Sequence, residues 1–271
     1  MTAADPSSAP NPPSSPGIAV HAARLVYDGS PLFDALDFTL TAGHVTCLLG
    51  SSGVGKSSLL RLVAGLTPLA ESRVICDDGK PLAGRVALMA QQDLLLPWLS
   101  VEDNVLLGAR LRGEAPRRDD ARALLRQIGL GSALNSRPAA LSGGMRQRAA
   151  LARTLMENRP VILMDEPFSA LDAVTRLKLQ DMAADLLRGR TVLLVTHDPL
   201  EALRIGHRIH VMTGRPARLS DAMTPVGPTP RDVTDADLLR MQGELLRKLQ
   251  QDGDLLPSRQ QVRKQAGESA A

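Results

Sequence analysis

Apolar positions along the chain change period several times, and each change predicts an element. From Ile18 the pattern alternates through IAVHAARLVY and LDFTL, which predicts antiparallel strands leading into a buried strand, HVTCLLG. Helical spacing follows over residues 57–66 (SSLLRLVAGL), then short strands near Arg73–Cys76 and Arg85–Met89. The section from about Trp98 to Pro138 is mostly helical: VEDNVLLGARLRG and DDARALLRQIGL both carry apolar residues at helical spacing, and Ser100 is placed to cap the first. Helix and strand then alternate: a helix over Gly143–Glu157, a strand over Val161–Asp165, a helix over Ala173–Arg188, a strand over Thr191–His197, a helix over Pro199–Ile205 and a strand over Arg208–Met212. Strands that are apolar on both faces, alternating with helices, imply a parallel sheet covered on both sides. The expected fold is α/β: a mostly parallel core sheet, an antiparallel β subdomain and an inserted helical subdomain at about 98–140, within a domain spanning 18–230.

The ends read differently. Met1–Gly17 is rich in Pro, Ser and Ala and is expected to be a flexible tail (1–17). Four prolines after Gly214 (Pro216, Pro225, Pro228, Pro230) predict a loop-rich stretch. Residues 231–271 are expected to hold one amphipathic helix over Ala236–Asp252 and a frayed polar end from Pro257.

Composition narrows the partners. With 271 residues and 44% hydrophobic content, the chain can bury the core of one large α/β domain. No apolar run approaches the roughly 18–20 residues of a membrane helix, and no secretory leader pattern opens the chain. The chain is therefore expected in the cytosol, meeting a membrane only through a partner. Thirty-two basic against 29 acidic residues leave a net charge of +3, too small to argue for nucleic acid. The cluster Arg117–Arg122 is interleaved with acids and reads as a solvated helix face. Two cysteines, Cys47 and Cys76, fit a reduced compartment, and five histidines lack the pairing of a zinc site.

Three motifs carry chemistry. Gly50, Ser51, Ser52, Gly53, Val54, Gly55, Lys56 and Ser57 form G-x-x-x-x-G-K-S between a strand and a helix start. The glycines let backbone N–H groups turn inward around phosphate oxygens, and the helix N-terminus adds partial positive charge. Lys56 can reach the β- and γ-phosphates, and Ser57 can offer its hydroxyl to Mg²⁺. VILMDEP ends an apolar strand in two acids: Asp165 suits a Mg²⁺ ligand, and Glu166 suits polarising a water that attacks the γ-phosphate. In LSGGMRQR, Ser142 can cap the next helix while Gly143 and Gly144 let the backbone approach a phosphate closely.

In this order the motifs resemble the nucleotide-binding subunit of an ATP-binding cassette (ABC) transporter, a P-loop NTPase. The phosphate loop matches Walker A, LSGGM the signature, VILMDEP Walker B, SALD (Ser169–Asp172) the D-loop and His197 the switch histidine. The resemblance runs from about Ile18 to Met212. It implies ATP and Mg²⁺, with catalysis by Glu166 and His197. Gln91, or its neighbour Gln92, takes the place of the glutamine that ligates Mg²⁺ and senses the membrane partner, and Tyr27 that of the aromatic stacked on adenine. It also implies a homodimer of cassettes with Ser142, Gly143 and Gly144 acting in trans. Integral membrane permease subunits, a separate substrate-binding protein and a place on the cytoplasmic face of the cell membrane complete the expected assembly.

LLPWLSVEDNV with LSGGM, where many members have LSGGQ, is similar to importers of the nitrate, sulfonate and taurine group. The longer stretch AQQDLLLPWLSVEDNVLLGARLRGE looks somewhat closer to relatives that serve pyrimidine precursors of thiamine. Met145 removes one polar group from the signature. The alternatives are a non-transport ABC ATPase, which would carry tandem cassettes or long coiled-coil insertions, and an exporter subunit, against which the LLPW loop weighs.

Overall fold

The structure is a computed structural model that describes residues 15–67 and 72–253. Most of the proline-rich tail and the polar end from Pro257 therefore lie outside the described residues. Ser15–Gly17, expected as tail, join the fold: Pro16 and Gly17 are buried, and the Pro16 carbonyl accepts a 2.7 Å hydrogen bond from the Thr191 hydroxyl.

The alternating segment forms β1 (Ile18–Tyr27), paired antiparallel with β2 (Ser30–Leu40) and β4 (Arg73–Cys76). Inward residues Ile18 and Val20 on β1 and Leu36, Phe38 and Leu40 on β2 keep a period of two, and Ala23 and Phe33 rejoin the same apolar face across register shifts. The β1–β2 register shifts after Val20 and again after Ala23, close to the left-handed residues Ala22 and Ala35 (φ 50° and 54°), so the ribbon twists toward its Tyr27 end.

The second sheet holds β3 (Val45–Leu49), β5 (Val86–Met89), β6 (Val161–Asp165), β7 (Thr191–Thr196), β8 (Arg208–Thr213) and β9 (Arg218–Leu219) in the order β5-β6-β7-β3-β8-β9. All pairings are parallel except β8 with β9. This is the expected mostly parallel core. β9 was read as loop, because two residues beside Pro216 carry no period. Alternate residues of the fully buried strands face opposite cores. Cys47, Leu49, Met164 and Leu194 pack under α5 (Gly143–Met156), α6 (Ala173–Leu186) and α7 (Pro199–Ile205). Leu48, Leu163, Leu193 and Val195 pack with α1 (Lys56–Val63) and the antiparallel sheet.

Helix α1 stops earlier than its periodicity suggested. Gly65 takes φ 73°, its N–H reaches the Leu62 carbonyl at 3.0 Å and the Leu66 N–H reaches Arg61 at 2.9 Å, a Schellman closure. The inserted helices are α2 (Val101–Val105), α3 (Leu107–Leu111) and α4 (Arg118–Gln127). Ser100 caps α2 as expected, accepting from the Asp103 N–H at 3.1 Å. The arginine cluster is not simply solvated: Arg118 and Arg122 converge on Glu102, whose side chain is only 5% exposed and whose carboxyl they hold below its ordinary range. At the far end, buried Arg231 donates to the carbonyls of Leu203, Gly206, Pro225, Val226 and Gly227, pinning the proline-rich stretch ahead of α8 (Ala236–Gly253). Among the described residues no helix is long and apolar enough to cross a membrane.

Asn104 fixes the loop between β5 and α2. Its side-chain oxygen accepts from Leu96 N–H at 2.7 Å and its amide donates to the carbonyls of Leu96, Leu99 and Ser100, all in a fully buried position. Asn104→Ala is expected to cost roughly 2–3 kcal/mol, because buried backbone groups lose their partners. Urea unfolding measures this, and a midpoint equal to wild type would contradict it.

Candidate active site

Parallel pairing puts the candidate residues at one edge of the core sheet. Gly50 leaves β3, Gln91 follows β5, Asp165 ends β6 and His197 follows β7. In the ladder Leu49 lies opposite Thr196, Asp165 opposite Val195 and Met89 opposite Met164, so the four exits are level. Ligands of open α/β sheets bind outside these carboxyl ends.

The loop from Gly50 to Ser57 wraps back on Lys56, whose ammonium donates to the Gly50 and Ser51 carbonyls at 2.8 Å each. Burial lowers the Lys56 pKa, while the nearby carboxylates Glu166 and Asp165 oppose that shift. Gly55 caps α1 with φ 115°, and a Cβ there would lie 2.9 Å from the Phe33 ring. Only glycine fits on both counts. Beside the loop lies a pocket of about 350 Å³ lined by Gly53, Lys56, Ser57, Ser58, Tyr27, Leu32 and Arg215. Tyr27 is 77% exposed at its rim, leaving its ring face free. Arg215 reaches the Gly53 carbonyl at 3.4 Å.

Asp165 is buried, and burial raises its pKa against the Ser57 hydroxyl and the Lys56 charge. Its Oδ1 has no protein partner. Glu166 sits in the left-handed region, φ 50°, held there by its N–H on Val195 at 2.8 Å and by Gln147 Nε2 on its carbonyl at 2.9 Å. One carboxylate oxygen lies 3.1 Å from His197 Nδ1, and the other accepts from Gln91 Nε2 at 3.5 Å. Of the two candidate glutamines, Gln91 is the one on Glu166.

The structure thus brings together Lys56, Ser57, Asp165, Glu166, His197 and Gln91. Ser142, Gly143 and Gly144 do not line the Lys56 pocket. Ser142 caps α5, accepting from Met145 N–H at 3.3 Å, and Gly143 lines a different pocket with Gln91, Arg146 and Gln147. Three functional candidates escaped the sequence reading. Gln147, one turn after Gly143, also bonds Ser169 and the Ala170 N–H, tying α5 to the turn after Glu166. Arg215 lies in a turn with no periodic signal. Glu201 looked like an ordinary first-turn acid.

Comparison with known proteins agrees with this geometry. The ABC transporter family profile matches residues 33–169. An "Uncharacterized ABC transporter ATP-binding protein" of Haemophilus influenzae is 43% identical, over 83% of this chain and 95% of that protein. The "Aliphatic sulfonates import ATP-binding protein SsuB 2" of Pseudomonas syringae pv. tomato is 41% identical, over 84% of this chain and 96% of that protein. A dimeric structure of the ATP-binding cassette MJ0796, in a post-hydrolysis state bound to ADP and Pi, superposes with a TM-score of 0.69 at 28% identity, covering 78% of this chain and 99% of that one.

Behind Glu166 and His197 is a cavity of about 20 Å³ that Glu201 also lines, along with Arg176, Thr196 and Asp198. Glu201 is buried and its Oε1 has no protein partner. Burial, reinforced by the Asp198 carboxylate, pushes its pKa from 4.5 up to about 8. Between those values the unfolded chain loses the proton while the folded chain keeps it, so this group's share of stability falls as pH rises. Glu201→Gln is expected to flatten the decline in urea midpoint between pH 5 and pH 8. An unchanged pH slope in that variant would contradict the assignment.

Proposed function

Since the chain belongs to the ABC transporter family, we propose that it is the ATP-hydrolysing subunit of an importer, acting as a homodimer on the cytoplasmic face of the cell membrane beneath separate permease subunits. The convergence of Lys56, Asp165, Glu166 and His197 at one sheet edge is the observation that carries this reading. The N–H groups from Ser51 to Gly55 and the Lys56 ammonium hold the β- and γ-phosphates. Tyr27 stacks on adenine at the rim of the pocket.

Ser57, Asp165 and Gln91 would hold Mg²⁺, and the buried, unpartnered Oδ1 of Asp165 beside the Ser57 hydroxyl fits a hard cation. When bound, that ion supplies charge neutralisation on the phosphate oxygens. Glu166 takes a proton from the attacking water as its oxygen bonds the γ-phosphorus and the bond to the bridging oxygen breaks, leaving ADP and phosphate. His197 positions Glu166 from one side and faces the γ-phosphate. Ser142, Gly143 and Gly144, which do not line the pocket of their own Lys56, act on the partner's ATP.

Leu94, which lines a pocket with Gln91, and Trp98, further along the same segment, are exposed and give the permease an apolar foothold. A substrate-binding protein delivers the solute from the far side. The sulfonate name of the Pseudomonas relative favours an aliphatic sulfonate as that solute over a pyrimidine precursor. Deleting this chain should abolish growth on an alkanesulfonate as sole sulfur source. Normal growth of the deletion strain would remove the sulfonate assignment while leaving the ATPase intact.

Two variants test the chemistry. Glu166→Gln is expected to keep ATP affinity within about threefold and lower turnover by roughly 10²–10⁴, the usual weight of a general base. Wild-type turnover would take Glu166 out of the mechanism. Lys56→Ala should weaken ATP binding by about tenfold or more, the loss of one charge-assisted contact. Equilibrium titration reads this, and unchanged affinity would undo the phosphate-loop assignment.

A further inference from the structure

The turn between β8 and β9 brings a cation to the phosphate loop from outside every motif of the sequence. Gly214 (φ 78°) turns the chain back toward β8, and the buried Ala217 donates its N–H to the Leu32 carbonyl at 2.8 Å, tethering the turn to β2. Arg215 lies between these anchors with its guanidinium on the Gly53 carbonyl, in the wall of the Tyr27–Lys56 pocket. Among the described residues no carboxylate lies within ion-pair distance of it. An exposed guanidinium with one long hydrogen bond keeps donors free for a planar, bidentate contact with phosphate.

We propose that Arg215 is a nucleotide-binding residue that contacts the polyphosphate of ATP. The proposal rests on the reading of the pocket as an ATP site. Arg215 shares its pocket with Lys56 and Ser57, the loop residues that hold phosphate, so its guanidinium is within the same wall as the polyphosphate. Its contribution depends on how many phosphates the ligand carries.

The test is isothermal titration of the full chain with MgATP, MgADP, AMP and adenosine, using wild type, Arg215→Ala, Arg215→Lys and Lys56→Ala. Arg215→Ala should weaken MgATP about tenfold, MgADP less and AMP hardly at all, with Arg215→Lys recovering part of the loss. Unfolding midpoints of the unliganded variants should match wild type, since the side chain is exposed. Unchanged MgATP affinity in Arg215→Ala, while Lys56→Ala loses binding, overturns the role of Arg215 and leaves the ATP site standing. An equal loss for adenosine and ATP overturns the phosphate contact in favour of a base contact. Wild type that binds no MgATP removes the ATP site and this proposal together.

Discussion

Level parallel pairing of β5, β6, β7 and β3 is the constraint on which the site depends. A one-residue slip between β6 and β7 would flip side chains between the two cores and move Asp165 and Glu166 out of line with His197. Close packing on both faces opposes it: Met164 and Leu194 fill one core and Leu163 and Leu193 the other, and a slip of β6 would exchange side chains of different shape. The sheet edge that carries the candidate site is therefore held by packing in the two cores. In β5 and β6 no polar residue appears before Asp165.

Where they emerge, polar contacts take over. Glu166 is the clearest case, because a non-glycine residue at φ 50° is strained by roughly 1–3 kcal/mol and persists only where neighbours over-determine it. Val195 fixes its N–H and Gln147 its carbonyl, while His197 and Gln91 flank the carboxylate. Gln147 belongs to the helix that the signature begins, so the position of that helix and the aim of the carboxylate are linked through one side chain. A ligand that moved Gly143 and Gly144 would bias Glu166 through this contact.

Much of this was legible in the sequence for physical reasons. Buried strands announce themselves by unbroken apolar runs, and phosphate loops by glycines that no other residue can replace, as Gly55 against Phe33 illustrates. What escaped was set by tertiary contact. Strand β9 is two residues long and exists because Met212 and Thr213 offer it a partner. Arg118 and Arg122 looked solvated because the carboxylate they serve, Glu102, is distant in sequence and became visible as their partner only once folded. Glu201 has the sequence context of any helix-start acid, and its environment alone sets it apart. The groups that orient the motif residues, Gln147 above all, carry no signal of their own.

The two sides of the nucleotide pocket are built to different standards. On the Tyr27 side, Phe33 packs under Gly55 and the Ala217–Leu32 hydrogen bond joins the two sheets, so the loop rests on buried apolar contact. On the Gln91 side, the segment leading to the inserted helices is held to α5 by Arg146 on Asp93 at 3.0 Å and by Arg153 on the carbonyls of Asp93 and Leu94 at 2.7 Å. Exchanging such part-exposed polar contacts for water costs about 0.5–1.5 kcal/mol each, less than opening a packed core. The compliance of the site therefore lies on the second side, and exposed Leu94 and Trp98 stand on the same segment.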